Sequence, residues 1–251
     1  MSTEKNNALY SVADFEDLLR LIAEYGLQTV VIGGCAVGAY ARYLDQQVLS
    51  RDLDLYATRD TQKQILQLMR DNPDAVVRKI PKVRSIPVLV FDWKGKEVNI
   101  LTAAELLPSP ELLVSMARDA IFPEMQDLTL LLGDPYQLLR NKLAVNRPKD
   151  QPHAAVLRQF LEAEIVQEFT EQTDPRRRIA PAQQYLQALS AKVLPDELAR
   201  RLVQLARLPV DFRFLMNHVP TEELAQDLID RAPVEQAGEL AIIRSRRRFR
   251  C

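Results

Sequence analysis

Helical spacing governs the start of the chain: Phe15, Leu18, Leu19 and Ile22 recur every three or four positions, behind Ser11 and Asp14 in a capping-box arrangement, and Gly26 suits a terminator. Thr29 to Ile32 is short, apolar and β-branched, which predicts a buried strand ending in Gly33-Gly34. Cys35 to Leu44 is compatible with a helix, Asp52 to Tyr56 with a second strand, and Thr61 to Arg70 with another amphipathic helix. The period changes between Ala75 and Leu101, where VVRKI, IPVLVFDW and KEVNIL alternate as strands do and Lys94-Gly95 marks a hairpin turn. Thr102 and Glu105 form a second capping-box pattern, which predicts helix to about Ala120, and Asp127 to Leu132 is a last strand.

After Gly133 the pattern is helical throughout, opened by Asp134 and Pro135 and punctuated by Pro175, Pro181, Pro195, Pro209, Pro220 and Pro233. The expected architecture is therefore α/β in the α+β sense: a small mixed sheet flanked by helices over residues 1–132, and an all-helical domain over residues 133–251. No internal repeat interrupts this division.

Composition narrows the setting. With 47% hydrophobic and 27% charged residues the chain is that of a globular protein, and 33 basic against 34 acidic side chains give a net charge of -1, which says nothing about a nucleic-acid partner. Cys35 and Cys251 have neither metal-ligand spacing nor an evident partner, which fits a reducing compartment. The polar start MSTEKNNALY and the lack of a long apolar run predict a cytoplasmic location and no membrane partner.

Candidate chemistry gathers in VVIGGCAVGAYARYLDQQVLSRDLDL. Residues two apart on a strand share a face, so Asp52 and Asp54 project together while Leu53 and Leu55 enter the core. Two carboxylates about 7 Å apart repel unless solvated or bridged by cations, and oxygen-only ligands suit Mg²⁺. The plainer reading of Asp-x-Asp is an exposed polar strand face. Against it stands the glycine pair at a strand-to-helix junction, where backbone amides can approach a phosphate. GGCAVG lacks the G-x-G-x-x-G order, and no G-K-[ST] follows it.

Ile32-Gly33-Gly34 followed one helix later by Ser50-Arg51-Asp52-Leu53-Asp54-Leu55 resembles the nucleotidyltransferase fold of the DNA polymerase β superfamily. More narrowly, it is similar to bacterial nucleotidyltransferase-like proteins of abortive-infection and toxin-antitoxin systems. A second patch adds to the resemblance: Lys142-Leu143-Ala144, Arg147 and Lys149-Asp150 are similar to the lysine-to-K-D segment that opens the helical domain in many such proteins. The resemblance implies two Mg²⁺ ions on Asp52 and Asp54, a nucleoside triphosphate held by Gly33, Gly34 and Ser50, and transfer of its monophosphate to an acceptor hydroxyl on RNA, protein or a small molecule. It further implies a nucleotide cleft between the two domains, with Lys142 facing the phosphates and Asp150 shaping the site, and a cognate partner protein. Arg51 precedes the first aspartate and could meet phosphate oxygens, although exposure alone accounts for it.

The third carboxylate of that superfamily falls, in Lys96-Glu97-Val98-Asn99-Ile100-Leu101, on Asn99. An amide offers one neutral oxygen to a metal and takes no proton. Glu97 lies on the same strand face and could substitute in part; otherwise the chain is a nucleotidyltransferase-fold module that binds nucleotide, nucleic acid or a protein partner without transfer. His153 and His218 are isolated; His153 follows Lys149-Asp150 and could sit near the mouth of the site, although a surface helix position accounts for it more simply. The basic run RSRRRFR could hold a nucleic-acid backbone or be a solvated tail.

Overall fold

The computed structural model describes residues 8–81, 88–125 and 127–247. After a 3₁₀ turn at Val12–Phe15, the chain forms α1 (Glu16–Glu24), β1 (Val30–Ile32), α2 (Gly33–Arg42), β2 (Asp52–Tyr56), α3 (Arg59–Arg70), β3 (Ala75–Lys79), β4 (Val88–Trp93) and β5 (Lys96–Leu101). There follow α4 (Pro110–Met116), β6 (Arg118–Ile121), β7 (Thr129–Leu132), α5 (Pro135–Val145) and α6 (Asp150–Glu171). Five more helices complete the described chain: α7 (Pro175–Ala188), α8 (Asp196–Leu205), α9 (Pro209–His218), α10 (Glu222–Arg231) and α11 (Val234–Ser245). None of the described helices is long and apolar enough to cross a membrane.

The seven described strands form one mixed sheet in the order β3-β4-β5-β2-β1-β7-β6. β2 runs antiparallel to β1 and parallel to β5, with Asp52 opposite Glu97 and Asp54 opposite Asn99. Strand alternation sorts these residues by face: Leu53, Leu55, Val98 and Ile100 have no exposure, and neither do Leu89 and Phe91, which pair with Ile100 and Val98 from β4. The polar residues of β2 and β5 therefore share the opposite face. At the β4–β5 hairpin, Lys94 (φ 49°) and Gly95 (φ 80°) both take left-handed backbone, the requirement of a two-residue turn that follows the sheet twist.

Local signals account for most ends. The Ser11 amide donates to Asp14 Oδ2 at 2.7 Å, Thr58 accepts from the Thr61 amide, and Asp134 accepts from the Gln137 amide ahead of α5. The helix expected from Thr102 to Ala120 does not form. Pro108 and Pro110 interrupt it, Thr102 is buried rather than capping, and α4 starts instead from Ser109, whose Oγ accepts from the Leu112 amide. Residues 118–121 are then a strand, β6, paired antiparallel to β7. Only Ala120 of β6 is buried, so the edge strand carries little apolar alternation for a sequence reading to find. Pro181, expected as a break, lies inside α7.

The chain divides into two compact units, Met1–Leu157 and Arg158–Cys251, with the division inside α6. The segment after β7 belongs with the sheet because it is bonded to it: the Gly133 amide donates to the Val31 carbonyl, and the buried Tyr40 hydroxyl donates to the Gly133 carbonyl at 2.9 Å. The second unit is helical. Its core encloses Arg178, which donates to both oxygens of Asp211 and to the carbonyls of Gln172 and Leu205, with Phe169 beneath the guanidinium. Residues 248–250, the end of the basic run, lie outside the described residues, as does Cys251. Arg244 is paired to Glu222 and Arg247 donates to the Val219 carbonyl.

Candidate active site

Gly33 takes φ 67° at the junction of β1 and α2. A side chain there would be strained by the backbone and would also strike Asp54, whose Cβ would be 2.9 Å from the added methyl group and whose Oδ2 would be closer still. Gly34 is equally confined, since a methyl group on it would lie 2.5 Å from Ser50 Oγ and 2.8 Å from Ser50 Cβ. The two glycines are thus what lets the start of α2 lie directly against the polar face of β2. Ser50 is fixed by a reciprocal pair of backbone bonds to Tyr10, and its hydroxyl donates to Asp52 Oδ1 at 3.1 Å.

Asp52 and Asp54 converge on one group. The Asn99 side-chain amide donates to Asp52 Oδ2 and to Asp54 Oδ1, 3.1 Å in each case. Orientation of that amide is assigned from these bonds, since both neighbours are acceptors. Burial pushes the Asp54 carboxyl up to about 6, the Asp52 charge adds to the rise, and Asn99, Lys142 and Lys149 oppose it. Such a pair gains from a cation. Among the described residues no group of three or more His, Cys, Asp or Glu side chains is placed to hold a metal, so the acidic set is a pair supplemented by an amide. Two hard carboxylates with a reorientable amide oxygen fit Mg²⁺ as partial ligands, the remaining positions falling to water or substrate phosphate. Glu97 is exposed opposite Asp52, and its side chain makes no hydrogen bond or ion pair among the described residues. Arg51 is exposed.

The lysine-to-K-D segment, some ninety residues later in the chain, reaches the same place. Lys142 on α5 and Asp150 at the start of α6 are both buried and paired at 3.1 Å; Arg147 closes a second pair to Asp150 at 2.6 Å. Burial alone would raise the Asp150 carboxyl, but the hydrogen bonds from Arg147 and Lys142 hold it well below the usual carboxylate range. The charges of Lys142 and Lys149 act on Asp54, and the charges of Asp54 and Asp52 act on Arg147. Lys142 is therefore clamped by Asp150 rather than free, and the cationic cluster extends to Arg147 and Lys149.

Of the two places the sequence allows for His153, the open helix surface and the neighbourhood of the site, the structure shows the second: it lies beside the glycine turn, its Cε1 3.5 Å from where a Gly34 methyl group would be, with its Nδ1 buried and without a hydrogen-bond partner. Burial and then Lys142 keep its imidazole below the ordinary histidine range. The position following Lys149-Asp150 was the available signal. Cys35 is buried, its thiol donating weakly to the Asp52 carbonyl at 3.4 Å; burial and then Asp54 and Asp52 push its pKa up, making it inert. All of these residues fall within the first compact unit.

No protein-family model matches the chain, and no curated protein does. It is similar in structure to the lincosamide antibiotic adenylyltransferase LnuA bound to lincomycin, at 14% identity and TM-score 0.46, over 61% of this chain and 99% of that one. A similar likeness joins it to ANT(2")-Ia in complex with adenylyl-2"-tobramycin, at 13% identity and TM-score 0.45, over 69% and 98% of the two chains. The antigenic nucleotidyltransferase-like protein of Paracoccidioides brasiliensis covers more, 86% of this chain and 99% of that one, at 14% identity and TM-score 0.37.

Proposed function

We propose that the first unit is a Mg²⁺-dependent nucleotidyltransferase, moving a nucleoside monophosphate from a triphosphate to an acceptor hydroxyl on RNA, protein or a small molecule. One observation carries the reading: the Gly33-Gly34 turn is pressed onto Asp54 and Ser50, so helix-start amides and two crowded carboxylates share one small volume. Phosphate groups and divalent cations together are what such a volume suits.

In this reading the amides at the start of α2 donate to the phosphate oxygens, as does the Ser50 hydroxyl once it turns from Asp52 Oδ1. Asp52 and Asp54 hold the metal, and the Lys142–Asp150 pair keeps a cation fixed nearby at no reorganisation cost. Bound Mg²⁺ would supply charge neutralisation at the reacting phosphate and at the attacking and leaving oxygens. The acceptor oxygen bonds to the α-phosphorus, the bond to the bridging oxygen breaks, and pyrophosphate departs with that electron pair. Glu97, exposed beside Asp52, is the side chain offered for the acceptor proton. A cognate partner protein of the toxin-antitoxin kind would belong to the same proposal.

Asn99 favours a second reading, a module that binds nucleotide without transferring it, because its amide occupies the place of an acid. Incubation with each labelled triphosphate, Mg²⁺ and total RNA or candidate acceptors separates them. Incorporation by the wild type that is lost in Asp52→Ala/Asp54→Ala supports the enzyme, and binding without incorporation supports the module. Incorporation that survives the double substitution overturns the metal site.

A further inference from the structure

The buried, partnerless Nδ1 of His153 has no use in the reading above. The ring lies against Gly34, on the side of the site where Ser50 and the start of α2 meet. One ring nitrogen is sealed from solvent. The residue as a whole is only half-buried, and no hydrogen bond to Nε2 occurs among the described residues, so the reachable edge of the imidazole is a free hydrogen-bonding edge. We propose that His153 is a phosphate-binding residue of this site, its Nε2–H donating to an oxygen of the polyphosphate that the Gly33-Gly34 turn receives; the proposal rests on the nucleotidyltransferase reading and adds to it a neutral donor.

The tautomer follows from the ligand. Phosphate oxygens are acceptors only, so the single proton of a neutral imidazole must sit on Nε2, which leaves the sealed Nδ1 as an unfilled acceptor. A doubly protonated ring is disfavoured by burial and by the neighbouring Lys142, Lys149 and Arg147 charges, with Asp150 opposing them. Those same cations make the surroundings of the ring attractive to an anion. A positively charged group is thus unnecessary at this position, and a rigid neutral donor adds direction where the lysines and arginine supply field. Its place beside Gly34 assigns it to the phosphates rather than to the acceptor hydroxyl.

Calorimetric titration of the full chain in Mg²⁺ with α,β-methylene analogues of the four triphosphates, and with inorganic tripolyphosphate, tests this. His153→Phe should weaken both kinds of ligand by the same factor, about tenfold for one lost hydrogen bond to a charged group, while His153→Gln, which restores an N–H donor, should recover most of the loss. Thermal unfolding of both variants reports whether the fold is retained, and a merely structural role would lower the melting temperature without separating Gln from Phe in binding. Equal affinity of wild type and His153→Phe overturns the proposal while leaving the nucleotide site standing. If the wild type binds neither analogues nor tripolyphosphate, the proposal and the reading it rests on fall together.

Discussion

Gly33 carries two constraints that can be separated by experiment, a left-handed backbone and a missing side chain against Asp54. Gly95 shares the first but faces open space. Gly95→Ala should therefore cost about 1 kcal/mol and Gly33→Ala about 2 kcal/mol or more in urea unfolding, with metal and nucleotide binding lost only in the latter. Asp54 gives a pH signature. Its folded pKa, about 6, lies above the ordinary carboxylate value, so its contribution to stability is complete below about pH 4 and is lost as pH rises through 6. Asp54→Asn removes that loss. The stability of the variant relative to wild type, measured without divalent metal, should grow between about pH 4 and pH 7 to about 3 kcal/mol; a flat difference would contradict the burial and crowding described.

At the scale of elements, α5, the following turn and the start of α6 are held by the buried Lys142–Asp150 pair. Asp150→Asn leaves an ammonium buried without its counter-charge, and unfolding at neutral pH should report a loss of about 3–5 kcal/mol. Because the Asp150 pKa is depressed in the fold, its contribution is present above the unfolded carboxylate value and disappears as pH falls below it, so the penalty should shrink in acid. Element identity was mostly readable. β2 runs over Asp52–Tyr56 and α5 follows Asp134-Pro135, because strand alternation and proline at a helix start are local properties. The Thr102 helix failed for a local reason outweighed in reading, the prolines at 108 and 110. β6 was not readable, since an edge strand with one buried residue is defined by its partner β7 and not by its own pattern.

For the molecule as a whole, the grouping of every candidate residue within Met1–Leu157 predicts that a fragment of residues 1–171, ending where α6 ends, retains Mg²⁺ and triphosphate binding by calorimetry; loss of both in a folded fragment would place essential groups beyond it. Sequence alone determined which residues could do chemistry: residue type and strand period, which are written locally, marked the glycine pair and Asp52 and Asp54 on one strand face, and a family resemblance singled out Asn99 and the Lys142 to Asp150 segment. Tertiary structure alone decided what they do to one another. Packing of β2 beside β5 brought the Asn99 amide to both carboxylates, closure of the chain after β7 brought Lys142 and Lys149 close enough to act on Asp54, and burial set the Asp54 carboxyl at about 6. The same closure clamped Lys142 to Asp150 and turned His153 toward Gly34, contacts made across long chain separations whose energies depend on desolvation, which no local pattern records.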